Sequence, residues 1–124
     1  MIDKVMTAQQ AVKKYIHNSD TVFIGGFGHA IPFAIAHEMV RQKKHSLHLA
    51  KTGADIIFDL LVAGGCAGRL SCGWYGNPGI GMSNIISKAV ASGELALTES
   101  TNFSMVLRLH AGKLGVPFIH YPIS

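Results

Sequence analysis

The sequence predicts an α/β fold: an open, mainly parallel sheet of about five strands with helices on both faces, in one domain spanning residues 1–124. Three observations carry this expectation. Short apolar, β-branched runs alternate with segments of helical periodicity along the whole chain, joined by short connections. Val22-Phe23-Ile24 leads directly into Gly25, Gly26 and Gly28, and Pro32 then opens a helix, as in a strand–turn–helix unit of a parallel sheet. A chain of 124 residues is also long enough to hide roughly two-thirds of its unfolded surface around one core.

Residues 6–17 read as an amphipathic helix, with Thr7 as cap and Ala8, Ala11, Val12, Tyr15 and Ile16 at helical spacing. The first strand is expected over 21–24 and the second helix over 32–44, where Ile35, Met39 and Val40 form the apolar face. The second strand, 47–51, alternates Leu47 and Leu49 with His48. Thr52-Gly53 turns out of it, and Asp55 caps a helix that runs through Val62 and stops at Gly64-Gly65. A third strand, 69–73, enters a long loop over 74–81. Ser83 starts a helix that reaches Ala91, and a fourth strand follows over 95–98. A helix over 101–113 ends at Gly115, and a fifth strand is expected over 116–120.

Composition narrows the function. The chain is 48% hydrophobic and 15% charged, which argues for an ordered globular domain. Its net charge of +4 is spread out, except for Arg41, Lys43 and Lys44, which suit a solvated helix end complementing the dipole. Without a nucleic-acid-binding module, the charge suits an acidic small ligand better than DNA or RNA. Cys66 and Cys72 form neither a zinc framework nor a disulfide scaffold, and Cys72 reads as a small buried hydrophobe. The seven histidines show no metal-ligand spacing, so no metal is expected. The start of the chain lacks a signal-like apolar region. The stretch from Val22 to Ala36 is broken by glycines, His29 and Pro32, so no membrane contact and a cytoplasmic location are expected.

In open parallel sheets, ligands bind beyond the carboxyl ends of the strands. The loops expected there are 25–32, 51–55, 73–82 and 98–102. The first could provide bare backbone N–H groups beside a helix start, a ready anion site. It is a poor dinucleotide fingerprint, because Ile31 replaces the third glycine and the second strand ends in Lys51 rather than an acid. Lys51 and Thr52 either touch phosphate or form a solvated loop, and Trp74 and Tyr75 either cover a ligand or pack against a partner. Glu99, at the end of the fourth strand, and Arg108, about two turns into the next helix, are the chemical candidates. A carboxylate there suits acid–base work or clamping, and an arginine there suits a bidentate grip on a carboxylate. The alternatives are support of the helix start by Glu99 and a structural ion pair for Arg108.

Strand-Gly25-Gly26-Phe27 followed by Pro32 resembles the opening of the A-type subunit in the family I, glutaconate-type coenzyme A transferases, which usually have one more glycine before the proline. The resemblance continues through 47–53, Asp59-Leu60-Leu61, Trp74-Tyr75-Gly76, Ser92-Gly93-Glu94-Leu95, Glu99, Thr101-Asn102-Phe103, Leu107-Arg108 and 114–118. It implies an acyl-CoA enzyme that moves coenzyme A between carboxylic acids through a glutamyl anhydride and thioester, with the thioester as substrate and no permanently bound cofactor. The glutamate would come from a B-type partner, since nothing here matches its motif. A homo-oligomer is the other expected assembly. Gly25, Gly26, Phe27 and Gly28 would donate N–H groups to the thioester oxygen. Thr52, Gly53, Tyr75 and Asn102 would contact substrate or coenzyme, and Glu99 and Arg108 would be catalytic. The family's A-type chains are roughly twice this length, so the resemblance covers their N-terminal half. A non-catalytic binding or assembly module, or an acyl-CoA hydrolase of the same family, would retain the same motifs.

Overall fold

The computed structural model describes residues 5–26 and 30–120. Helix α1 (Ala8–Tyr15) opens with a reciprocal cap: Gln10 N–H donates to Thr7 Oγ1 at 3.2 Å, and Thr7 N–H donates to Gln10 Oε1 at 3.0 Å. Strand β1 (Thr21–Phe23) precedes α2 (Phe33–Arg41), β2 (Leu47–Ala50), β3 (Gly53–Ala54) and α3 (Ile56–Ala63). Then come β4 (Ala67–Cys72), β5 (Trp74–Asn77), β6 (Gly81–Met82), α4 (Asn84–Ala91), β7 (Ala96–Glu99) and α5 (Asn102–Leu114).

The main sheet has four strands in the order β1-β2-β4-β7, with every pairing parallel. Its register aligns Val22, Leu49, Leu70 and Leu97 across the strands. That row, with Leu47, faces a core that includes Val12, Met39, Ile57, Phe58, Leu61 and Ile86 from α1 to α4. The helices neighbour one another in sequence order, α1 on α2, α2 on α3 and α3 on α4. The alternate residues lie on the opposite face, where Thr21, Phe23, Arg69 and Ala96 are exposed, His48 and Thr98 half-buried and Ser71 buried. There His48 Nε2 and Ser71 Oγ are 2.8 Å apart, and Thr21 Oγ1 lies 3.4 Å from His48 Nδ1. Burial, and then the Arg69 charge, hold the His48 pKa below its usual value.

Two expectations are corrected. The segment 74–81 is not an irregular loop: β3, β5 and β6 form a second, three-stranded sheet, with β3–β5 parallel and β5–β6 antiparallel. Asn77-Pro78-Gly79-Ile80 is its hairpin turn, closed by Ile80 N–H donating to the Asn77 carbonyl at 3.0 Å. Asn77 Nδ2 and Ser83 Oγ both donate to Asp59, which ties the hairpin to α3. The fifth main-sheet strand does not form either. After Gly115, which ends α5 with φ of 68°, residues 116–120 run as irregular chain. Pro117 offers no N–H to an adjacent strand, and Val116 and Phe118 remain exposed.

Candidate functional site

The carboxyl ends of the four main strands carry the residues singled out by sequence, but the fold gathers them into two groups. At the β1 end, Gly26 has φ of +92°, and a Cβ there would collide with the backbone carbonyl oxygen of Ala30. Only glycine lets the chain double back so tightly. Gly25 is exposed and lines a hollow of about 230 Å³ with Phe23, Pro32 and Ile35. Phe27 and Gly28 lie outside the described residues.

At the β2 end, the solvated-loop alternative for Lys51 is overturned. Lys51 is 4% exposed and Asp55 5%, and Lys51 Nζ donates to Asp55 Oδ2 at 2.7 Å. The ammonium also lies 5.6 Å from the centre of the Phe58 ring. Asp55 occupies the N-cap position of α3, yet its side chain makes no capping hydrogen bond, because the carboxylate is turned to Lys51. Its Oδ1 is buried without a partner among the described residues. Thr52 and Gly53 are half-buried. The Thr52 carbonyl accepts from Gly73 N–H at 2.8 Å, linking the β2 end to the β4 end.

Gly73 is a site-building residue that sequence reasoning did not single out. A Cβ on it would run into the backbone nitrogen and side-chain oxygen of Asn102, so this glycine lets the start of α5 rest on the end of β4. The available signal was a glycine closing an apolar strand, which marks close backbone approach. Helix α5 is capped by Thr101 and Ser104, each side chain bonding the other's backbone N–H. With the cap supplied by Thr101, the Glu99 side chain is not needed for that role.

Glu99 and Arg108 line one cleft of about 730 Å³, between α5 and residues 116–119. Both are exposed, and neither makes a hydrogen bond or ion pair among the described residues, so the structural ion pair considered for Arg108 is not formed. Beside it lies a smaller cleft of about 180 Å³, lined by Cys72, Trp74, Tyr75, Met82 and Leu97. Glu99 and Ser100 line both. The Ser100 Oγ is buried and has no partner among the described residues. The Cys72 thiol is pushed up to about 11, chiefly by burial, with the Glu99 charge adding and a backbone hydrogen bond at Trp74 opposing. At neutral pH it is a protonated wall group, not a nucleophile. Tyr75, Glu99 and Asn102 therefore lie at the β4 and β7 ends, and Arg108 lines the larger cleft further along α5. Gly25 and Gly26 stand apart at β1, with Thr52 and Gly53 between. Among the described residues no cluster of three metal-ligating side chains occurs, and no helix is long and apolar enough to cross a membrane.

Residues 5–120 match the sequence model of the family described as Coenzyme A transferase. The chain belongs to the coenzyme A transferase family. It is 37% identical over 118 residues to the A-type chain of 3-oxoadipate CoA-transferase from Pseudomonas knackmussii, covering 93% of this chain and 42% of that one. Against the A-type chain of glutaconate CoA-transferase from Acidaminococcus fermentans, identity is 29% over 121 residues, covering 95% and 38%. The crystal structure of the latter organism's glutaconate coenzyme A-transferase superposes with a TM-score of 0.87 at 28% identity, over 94% of this chain and 38% of that one. The AibA/AibB decarboxylase superposes with a TM-score of 0.83, also at 28% identity, over 94% and 46%. This coenzyme A transferase chain thus spans less than half the length of the relatives it matches.

Proposed function

We propose that this chain forms the thioester-binding side of a coenzyme A transferase, which moves coenzyme A from an acyl-CoA to a second carboxylic acid. The observation that carries the reading is the placement of unpartnered Glu99 and Arg108 in one cleft at the end of β7, in a chain of this family. Arg108 grips a substrate carboxylate in bidentate fashion, and Glu99 orients the bound acid or holds its proton. The backbone N–H groups of Gly25 and Gly26 are assigned to the thioester oxygen as charge develops on it, and the family resemblance extends that assignment to Phe27 and Gly28. Thr52, Gly53, Tyr75 and Asn102 contact the acyl group and coenzyme arm.

The nucleophile is a glutamate of a B-type partner. Its carboxylate attacks the thioester carbonyl and expels the coenzyme A thiolate, leaving an acyl-glutamyl anhydride. The thiolate then attacks the glutamyl carbonyl, releasing the first acid and leaving a glutamyl thioester. The second acid reverses both steps and departs as its CoA thioester. Coenzyme A is substrate throughout, and the cytoplasm, where acyl-CoA is made and used, is the proposed location.

The test is coenzyme A exchange between an acyl-CoA and labelled acetate, catalysed by the complex purified through a tag on this chain. Exchange that is present in the native complex and lost in Gly26→Val supports the reading. Gly26→Val with unchanged turnover removes the glycine loop from the mechanism.

A further inference from the structure

We propose that the β5–β6 hairpin is the surface on which the B-type partner chain docks, with Trp74, Ile80 and Met82 as its anchors. The inference rests on the transferase reading above, which requires a second chain, and adds the place where that chain is held.

Position points this way first. Strand β3, which follows the β2 end after Lys51 and Thr52, pairs with β5, and Gly73 joins β5 to the end of β4. The hairpin therefore stands over the middle of the rim, since β2 and β4 are the inner strands of the main sheet. Gly25 and Gly26 lie to one side of it, at the β1 edge, and Glu99 to the other, at the β7 edge. A chain seated on the hairpin borders both groups, as a chain that brings a nucleophile to this rim must. The relatives that this chain matches are named as A subunits, and AibA/AibB is named for two components. On the transferase reading the occupant is accordingly a chain of the second kind rather than another copy of this one.

The surface has the make-up of an interface centre. Residues 74–82 contain no charged side chain. Ile80 is 82% exposed, Met82 58% and Trp74 38%. Ile80 closes the hairpin turn, where water ordinarily favours a polar residue or glycine. The buried centres of protein interfaces are depleted in charge and enriched in aromatic residues and Met.

The hairpin is also ordered before anything binds it. A lone two-stranded hairpin is marginal in water, but here β3 adds a third strand, and Asn77 Nδ2 and Ser83 Oγ both donate to Asp59. A Cβ on Gly76 would lie 2.7 Å from the Trp74 ring, and one on Gly53 3.8 Å from it, so the indole rests against two glycines. Docking on a surface fixed in this way costs little side-chain entropy, and tryptophans so placed carry a large share of binding energy.

The experiment takes the complex purified through a tag on this chain, dilutes it stepwise and follows its assembly by sedimentation velocity, with peptide mapping of the chain that leaves. Ile80→Asp puts a charge into the contact without touching this chain's own core, and should raise the Kd for the B-type chain by about thirtyfold or more. Trp74→Ala should do the same. Ile80→Ser, which removes the apolar contact without adding a charge, should raise it by about tenfold and serves if the aspartate disturbs the turn. Tyr15→Glu, on the exposed side of α1, should leave the Kd unchanged. Coenzyme A exchange by Ile80→Asp should fall at low protein concentration and recover at high concentration, which a damaged site would not do. Undisturbed assembly in the hairpin variants, equal weakening by Tyr15→Glu, or intact assembly with a raised KM for acyl-CoA overturns the docking hairpin and leaves the transferase reading in place. A native preparation that exchanges coenzyme A with no second polypeptide overturns both.

Discussion

The two ends of the strand-end rim are built on opposite plans. At the β1–β2 end the structure is closed: Gly26 is pinned against Ala30, and Lys51 and Asp55 are locked together at 2.7 Å with almost no exposure. At the β4–β7 end it is open. Glu99 and Arg108 face a cleft without partners, and the Ser100 hydroxyl is unsatisfied. At the closed end the Lys51 ammonium is already paired, although Asp55 Oδ1 has no partner among the described residues, whereas the open end leaves the exposed Glu99 and Arg108 for a ligand. Charge alone therefore does not mark a site. The buried ion pair on the rim is a fixture, and the ligand-ready residues are the exposed Glu99 and Arg108, which have no partner among the described residues.

Variants can break this contrast, and the largest effect is expected at the closed end. Gly26→Val places a side chain against the Ala30 carbonyl at positive φ, so coenzyme A exchange should disappear and the melting temperature should fall, because the clash is with backbone. Asp55→Ala should follow, as a stability effect. It strands the Lys51 ammonium in the interior, with an expected loss of about 3–5 kcal/mol in denaturant unfolding. The apolar pair Lys51→Met with Asp55→Leu should recover most of that loss, because neither charge is then buried. An Asp55→Ala protein as stable as the native one would show that this end is not locked.

Smaller effects are expected at the open end. Arg108→Ala should raise KM for the carboxylic acid by about tenfold, the contribution of one charge-assisted contact, while stability stays within about 0.5 kcal/mol. A drop in stability with unchanged KM would make Arg108 structural after all. The smallest effect is a pH dependence. The folded Cys72 pKa of about 11 lies above its ordinary value of 9.0. The unfolded chain therefore loses this proton first, so stability is fully present below pH 9.0 and declines as pH rises toward about 11. Cys72→Ala should flatten that alkaline decline in thermal melts.

Much of the fold was legible because its signals are local. Apolar runs marked the four main strands, Thr7, Ser83 and Thr101 cap their helices as their positions suggested, and Gly115 ends α5. The second sheet was not legible, since β3 and β6 have two residues each and are defined only by pairing with β5. The segment 116–120 has strand-like composition, but Pro117 and the turn at Gly115 lead it along α5 instead. Within the site, Glu99 and Arg108 were found from their place at a strand end and on the following helix. Gly73, the buried state of Lys51 and the free hydroxyl of Ser100 were not, because each depends on what lies across the rim rather than on neighbours in sequence.

If this chain binds the thioester while a partner carries the nucleophile, the covalent intermediate must form on the partner. Incubating the purified complex with an acyl-CoA and measuring the intact mass of each polypeptide, followed by peptide mapping, tests this most directly. A coenzyme A thioester is expected on a glutamate of the partner, with none on this chain. A thioester on Glu99, or a complex that exchanges coenzyme A with no second polypeptide present, would contradict it.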